Sequence, residues 1–174
     1  MTKRFTNNLL TKTFIASLYC LSSAVYAGEN NPFIDLEQEI VIKAKRQSAD
    51  LKNKIATYLD NVVISQGTLN ITADTVKVYI SKDESETYIA KGEPAIFSQI
   101  LADGEPVSLE AKTIIYQPSQ QKITISGNAL VRQAGSEVKG SKITYNILSE
   151  QLEAESNPDE EVTTILQPKK KATP

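Results

Sequence analysis

Histidine and tryptophan are absent from this chain of 174 residues, which has one cysteine, one methionine and only 6% aromatic residues. Such a chain cannot build a metal site from imidazole and thiolate ligands, an internal disulfide or a histidine-dependent catalytic triad. Because these devices are excluded, the stability of the fold has to come from an apolar core and from backbone pairing.

Residues 1–27 have the organisation of a signal peptide. Basic residues open the segment, residues 14–25 form an apolar run, and Val-Tyr-Ala at 25–27 is a small-residue cleavage pattern. A retained membrane-spanning helix is the alternative, but an apolar run of about a dozen residues is shorter than the roughly 20 that a bilayer requires. We therefore predict export to the periplasm, with cleavage after Ala27 and removal of Cys20.

Cleavage at this point changes both the length and the charge of the chain. It leaves 147 of the 174 residues, with 16 basic against 21 acidic side chains, a formal charge of five negative. An acidic balance argues against a general binder of nucleic acid or anionic membrane. We predict one domain over residues 28–168, followed by a flexible basic tail at 169–174.

Residues 69–80 form a unit from which much of the chain is built. Leu69, Ile71 and Ala73 alternate with polar residues, and after Ala73 the apolar set moves to Val76 and Val78. A period of two is typical of half-buried strands, and its interruption predicts a bulge or a corner after Ala73.

This unit recurs along the chain. Small residues stand before a polar neighbour in equivalent positions at Ala44-Lys45, Ala111-Lys112 and Gly140-Ser141. Several of these positions, such as Asn61 and Asn128, are related by one offset of 67 residues. Self-similarity at a fixed spacing indicates stacked supersecondary units that share one core.

Short predicted strands fill the rest of the domain, and none of its segments has the pattern of an amphipathic helix. The predicted strands are 39–45, 54–59, 62–65, 69–80, 87–90, 95–101, 107–116, 122–126, 129–133, 137–147, 151–156 and 162–167. Turns are expected at residues 60–61, 91–94 and 127–128, and a charged connection at 46–54. This pattern predicts an all-antiparallel sandwich or roll.

Five segments of the chain resemble the OstA-like (LptA) family of periplasmic lipopolysaccharide-transport proteins. They are residues 61–76, 92–97, 127–133, 139–145 and 162–166. The resemblance covers nearly all of the mature chain in order. It departs at Asp60, where the family usually has glycine, and at Ser141, where aspartate is common.

The resemblance implies a fold and a function. The fold would be all-β, a twisted antiparallel β-jellyroll open at both ends, whose interior holds the acyl chains of lipopolysaccharide. Molecules would assemble head to tail into a bridge from inner-membrane LptC to the outer-membrane LptD complex. Neither a cofactor, a metal nor an enzymatic reaction is implied.

The strand alternation assigns the residues of this interior. The predicted inward-facing, lipid-contacting set is Ile40, Ile42, Leu69, Ile71, Val76, Val78, Phe97, Leu109, Tyr116, Ile123, Ile125, Val138, Ile143 and Tyr145. For any single member, ordinary core packing is the simpler interpretation, and the hypothesis concerns the face as a whole.

Neither terminal strand has the inward-pointing charge or the internal proline that would block edge-to-edge pairing. The predicted interface residues are Ile40, Val41 and Ile42 at the N-terminal edge, and Val162, Thr164, Ile165 and Leu166 at the C-terminal edge. Addition of one edge to the other is a heterologous contact that does not close, and it would yield rods.

Two other functional classes stay open from the residues alone. One is a structural or adaptor module with a closed core that joins envelope proteins without binding lipid. The other is a hydrolase that uses the carboxylates of Asp159, Glu160 and Glu161, although these acids beside Pro158 are more simply a solvated turn.

Overall fold

The computed structural model describes residue 35 and residues 37–167. The predicted signal peptide at 1–27 and the predicted tail at 169–174 lie outside the described residues, and the domain boundaries at 28 and 168 remain predictions. Among the described residues, no helix has the length and hydropathy needed to cross a membrane.

Among the described residues, ten strands form one sheet, and every pair of neighbours is antiparallel. The strands are β1 Val41–Lys43, β2 Arg46–Asp50, β3 Ile55–Gln66, β4 Leu69–Ile80, β5 Glu86–Ile100, β6 Pro106–Gln117, β7 Lys122–Gln133, β8 Ser136–Asn146, β9 Gln151–Glu155 and β10 Thr163–Ile165. Their order is β1-β3-β4-β5-β6-β7-β8-β10, with β2 on the other half of β3 and β9 on the other half of β8. The predicted all-β antiparallel class is confirmed.

Each long strand bends in its middle. The pairing register shifts between Leu59 and Val62 in β3, Thr72 and Thr75 in β4, Lys91 and Ala95 in β5, Glu110 and Thr113 in β6, and Ser126 and Ala129 in β7. Unpaired residues at a bulge bend the strand and increase its twist. Because the bulges of neighbouring strands lie side by side, they form one continuous corner across the sheet.

This corner divides the sheet into two layers. Layer one contains β2, residues 55–59, 75–80, 86–91, 113–117, 122–126 and 142–146, and β9. Layer two contains β1, residues 62–66, 69–73, 95–100, 106–111, 129–133 and 136–140, and β10. Within the described residues, no pairing joins the first strands to the last, so the roll is open at both ends, as predicted.

The side-chain parity changes at the corner. In β4, Leu69, Ile71 and Ala73 are buried before the corner, and Val76 and Val78 are buried after it. The bulge supplies the physical reason, since an odd number of extra residues exchanges the two faces of a strand. This confirms the parity switch expected after Ala73.

Three predicted chain reversals are wrong. Residues 60–61, 91–94 and 127–128 lie at the corner, inside strands that continue beyond it. Asp60 and Asn128 have positive φ angles of 67° and 55°. Residues of these types adopt such angles readily in turns, and here the angles form a bulge and not a hairpin. The positive φ at Asp60 also suits the glycine that the OstA-like family usually has there.

The edges of the sheet also differ from the prediction. The segment expected to be a charged connection, 46–54, contains strand β2, whose five residues are all exposed and therefore give no alternation. The outer strands are shorter than the predicted 39–45 and 162–167, because pairing at these edges is limited to three residues each in β1 and β10.

Candidate functional site

The inner faces of the two layers share one apolar cluster. Its largest fully buried side chains are Tyr116, Tyr145, Phe97, Ile64, Leu69, Ile71, Leu101, Leu109, Ile114, Ile123, Ile125 and Ile143. All but Leu101, which directly follows β5, come from strands β3 to β8, because every strand directs alternate side chains to the same side. The cluster therefore runs along the whole length of the roll.

Aromatic contacts show that the layers close on one another. Phe97 in layer two lies opposite Leu109 on the neighbouring strand β6. Leu109 and Tyr116 are seven residues apart on that strand, a distance of about 23 Å if it were straight. The rings of Phe97 and Tyr116 are nevertheless centred 6.0 Å apart. The bend in β6 therefore brings the layers into contact, and a ligand could enter only where they separate.

Three tyrosines stand in this interior. Burial is the main cause that raises the pKa of Tyr88, of Tyr116 and of Tyr145, the last to about 12. All three side chains are consequently neutral hydrogen-bond donors near neutral pH. The Tyr88 hydroxyl donates to the carboxylate of Glu86.

All fourteen predicted interior residues lie on the inner face. Eleven are buried, and Ile40, Ile42 and Val138 are half-buried and pack against the cluster. That any of them contacts lipid stays a prediction. The predicted set also missed buried residues, including Val62, Ile64, Tyr88, Ala90, Val107, Ile114, Val131 and Ile147. Extending the alternation from the assigned members would have found Val107, Ile114 and Ile147, but not Val62 and Ile64, since β3 has no assigned member.

Apolar side chains are exposed at both ends of the roll. At the N-terminal end, Val41 is 41% exposed; at the C-terminal end, Val162, Ile165 and Leu166 are 41%, 45% and 73% exposed. Their strands β1 and β10 are both in layer two. The predicted interface residues thus occupy the ends of a single layer, where a strand edge has no pairing partner among the described residues.

A cleft of about 280 Å³ opens near the C-terminal end. Its lining includes Val131 and Val138 from the inner face of layer two and Leu152 from β9 in layer one. Since these side chains come from both layers, the cleft leads from solvent into the apolar interior.

A buried carboxylate in the N-terminal segment, that of Asp35, binds the connection between β3 and β4. Asp35 is only 6% exposed and lies against the tight connection between β3 and β4. Its Oδ1 accepts a hydrogen bond from the Thr68 N–H at 2.8 Å, and its Oδ2 accepts from the Thr68 hydroxyl and, at 3.1 Å, from the Gln99 side-chain amide. Sequence reasoning missed this site, because its members are 33 and 64 residues apart in the chain.

The geometry can now be compared with known proteins. Residues 41–151 match the family model described as LptA/(LptD N-terminal domain) LPS transport protein. The lipopolysaccharide export system protein LptA of Haemophilus influenzae is 35% identical over 89% of this chain and 90% of the relative. The chain belongs to the LptA/LptD N-terminal domain family.

Further relatives of this LptA-like chain support the same family. LptA of Escherichia coli strain K12, also a lipopolysaccharide export system protein, is 32% identical over 95% of this chain and 89% of the relative. The crystal structure of LptH, the LptA-homologous periplasmic component of the lipopolysaccharide transport device of Pseudomonas aeruginosa, superposes with a TM-score of 0.73 at 26% identity, over 78% of this chain and 99% of that one. The resemblance to the OstA-like family and the open β-jellyroll are both confirmed.

In this LptA-family chain, Gly67 lies against the buried carboxylate of Asp35, so a side chain at this position is expected to lower the free energy of unfolding. A Cβ at Gly67 would lie 2.0 Å from Asp35 Oδ1, whereas a Cβ at Gly104 would meet nothing within 4 Å. Both glycines have positive φ, 58° and 84°. We expect Gly104→Ala to cost only the left-handed strain, about 1–2 kcal/mol. Gly67→Ala should cost about 1–3 kcal/mol more, because it displaces a buried carboxylate from its donors.

Denaturant unfolding of the two glycine variants would measure this difference. Gly104→Ala is the matched control, since it introduces the same methyl group in the same backbone region without the clash. Equal losses of unfolding free energy in both variants would contradict the buried position of Asp35.

The acids considered for a hydrolase lie on the surface of the roll. Asp159, Glu160 and Glu161 occupy an exposed segment between β9 and β10. Glu160 Oε2 accepts hydrogen bonds from the Ser141 hydroxyl at 2.6 Å and from the Asn157 side-chain amide at 3.2 Å. Glu160 therefore holds the turn against the corner of β8, which is a structural role. The named relatives in this LptA family are transport proteins.

The outer face of this LptA-like roll is polar. Arg132 is held between Glu110 and Glu137, with its Nε 3.1 Å from the Glu137 carboxylate. Pairs as exposed as these contribute about 0–1 kcal/mol each. The candidate site is consequently the apolar interior together with the two ends of layer two.

Proposed function

We propose that this protein carries lipopolysaccharide across the periplasm by holding its acyl chains between the two layers. The observation that supports this function is the apolar inner face, which runs through strands β3 to β8 and continues to half-buried Ile42 in β1 at one end and half-buried Ala154 in β9 at the other. Exposing an acyl chain of about a dozen methylenes to water costs roughly 10 kcal/mol, at about 0.8 kcal/mol per methylene. Transport between membranes therefore needs a sheltered apolar path.

Entry of lipid requires the layers to part. Phe97 and Tyr145 are fully buried, so acyl chains replace contacts that one layer makes with the other. Apolar surface stays out of water in both arrangements, and the exchange therefore has a small net cost. The layers can part at the open ends, because no strand pairing joins the two edges of the roll among the described residues.

Molecules of this protein join head to tail in this proposal. The exposed C-terminal edge at β10 adds to the N-terminal edge at β1 of the next copy, and the shared edge makes the apolar interior continuous. By likeness to the OstA-like family, the N-terminal edge docks on LptC of the inner membrane and the C-terminal edge on the outer-membrane LptD complex. The bridge supplies a path, and the energy for direction enters elsewhere.

One observation favours an adaptor as the second candidate function. The interior is closed by contacts such as that between Phe97 and Tyr116, 6.0 Å apart. A roll that stayed closed would join its partners through its edges and would bind no lipid.

Site-specific photo-crosslinking distinguishes the two functions. We expect a crosslinker at Ile42 or at buried Val76 to capture lipopolysaccharide, because both positions face inward. The adjacent positions Lys43 and Lys77 are exposed on the opposite face and are the matched controls. Equal capture on both faces, or none at the inward positions while the complete transport machinery is working, would support the adaptor instead.

A further inference from the structure

Tyrosine side chains are aligned across layer one. Tyr88 pairs with Tyr116, Tyr116 pairs with Ile123, and Ile123 pairs with Tyr145. These residues therefore lie in one row along the axis of the roll. Tyr116 and Tyr145 are two strands apart, about 10 Å at the usual strand spacing.

Two of these tyrosines have hydroxyl groups without a partner. The side chains of Tyr116 and Tyr145 are 2% and 0% exposed, and neither hydroxyl has a hydrogen-bond partner among the described residues. A buried, unpaired hydroxyl costs free energy that a phenylalanine would avoid. Phe97, fully buried in the same cluster, shows that a plain phenyl ring can be accommodated there. Packing alone therefore does not account for the two hydroxyls.

Their positions in the strands place both tyrosines toward one side of the interior. Tyr116 is the second-last residue of β6 and Tyr145 is the second-last residue of β8, so both lie beside the connections that join the strands of layer one. Ile114 and Ile143, the next inward-facing residues of these strands toward the corner, are fully buried. Both tyrosines thus lie at the rim formed by the strand ends, while aliphatic side chains fill the interior toward the corner.

An acyl chain has a matching distribution of polarity. It is a run of methylenes that ends in a carbonyl oxygen, which accepts hydrogen bonds and donates none. Tyr116 and Tyr145 supply donors at the rim and lack acceptors of their own among the described residues.

We propose that the hydroxyl groups of Tyr116 and Tyr145 donate hydrogen bonds to the carbonyl oxygens at the heads of the lipid's acyl chains. This assignment rests on the proposed function. It sets the depth to which a chain enters, with its methylenes against the aliphatic side chains and its carbonyl at the rim. The two tyrosines also favour acylated lipids over lipids whose chains lack a carbonyl group.

The test is a double variant, Tyr116→Phe with Tyr145→Phe, which removes two oxygen atoms and keeps both rings. Without lipid, we expect its thermal midpoint to be no lower than that of the unsubstituted protein, since no internal hydrogen bond is lost. Its affinity for lipopolysaccharide should fall about tenfold or more. Its affinity for dodecyl maltoside, an alkyl glycoside without a carbonyl group in its chain, should be unchanged. Tyr79→Phe, on the outer face of β4, is the control and should change none of these values.

The outcomes separate the two proposals. If the unsubstituted protein binds lipopolysaccharide and the double variant binds it equally well, the assignment of the two hydroxyls is overturned and the proposed function stands. A lowered thermal midpoint, or an equal loss of affinity for dodecyl maltoside, would also overturn the assignment, because the tyrosines would then act in packing. Failure of the unsubstituted protein to bind lipopolysaccharide would overturn the proposed function and the assignment together.

Discussion

Deletion of residues 162–174 is expected to leave a folded β-sheet monomer that no longer assembles. The deletion removes β10, whose three residues are all exposed, so it takes little from the buried core. It also removes Val162, Ile165 and Leu166, which form the apolar C-terminal end of layer two. The edge uncovered beneath β10 belongs to β8 and carries Glu137 and Lys139. Charged side chains at an edge discourage the addition of another strand.

Light scattering over a range of concentrations would measure assembly, and circular dichroism would measure the fold. The matched control is deletion of residues 168–174 alone, which removes the basic tail and keeps β10; this shorter deletion should still form rods. Under the proposed function, the 162–174 deletion should also lose binding to the outer-membrane LptD complex. Rods of the original length from the larger deletion would show that edge addition through β10 is wrong.

Phe97→Ala is expected to lower the free energy of unfolding by about 3–5 kcal/mol. Phe97 is fully buried, and its ring is 6.0 Å from that of Tyr116 in the opposite layer. Truncation removes the buried apolar surface of the ring and leaves a cavity where the layers meet. The free-energy costs of these two changes add. Denaturant unfolding, with the slope checked for two-state behaviour, would measure the loss.

Leu51→Ala is the control for this truncation. Leu51 is 87% exposed, so its substitution should change the unfolding free energy by less than about 0.5 kcal/mol. A loss as small as this for Phe97→Ala would mean that the layers do not close on one another in solution. It would also remove the observation that favours the adaptor.

The two ends of the roll explain why assembly should use layer two. At these ends, layer one has β2, which carries Arg46 and Asp50, and β9, which carries Glu153 and Glu155. Layer two has β1 and β10, where Lys43 is the single charged residue. Apolar edges with few charges accept a further strand more readily than charged edges do. The proposed head-to-tail bridge is therefore expected to join through β1 and β10.

Strand alternation and its interruptions were determined by the sequence. The period of two assigned fourteen inward-facing residues, and all of them lie on the inner face. The parity switch after Ala73 and the repeated small residues such as Ala111 marked the corner of the sheet. These features are local, because which face a side chain occupies follows from its neighbours along one strand.

The tertiary structure decided whether the chain reverses or only bends. Asp60 and Gly127 have the positive φ angles that are typical of hairpin turns. The strands on both sides of them nevertheless keep their partners, so these residues form bulges. Strand β2 exists only because β3 offers it an edge, since its own residues show no alternation. The burial of Asp35 and the alignment of Tyr116 with Tyr145 depend on strands far apart in the chain. Local patterns do not contain these pairings, because the free energy that selects them arises from contacts made only after the layers have closed.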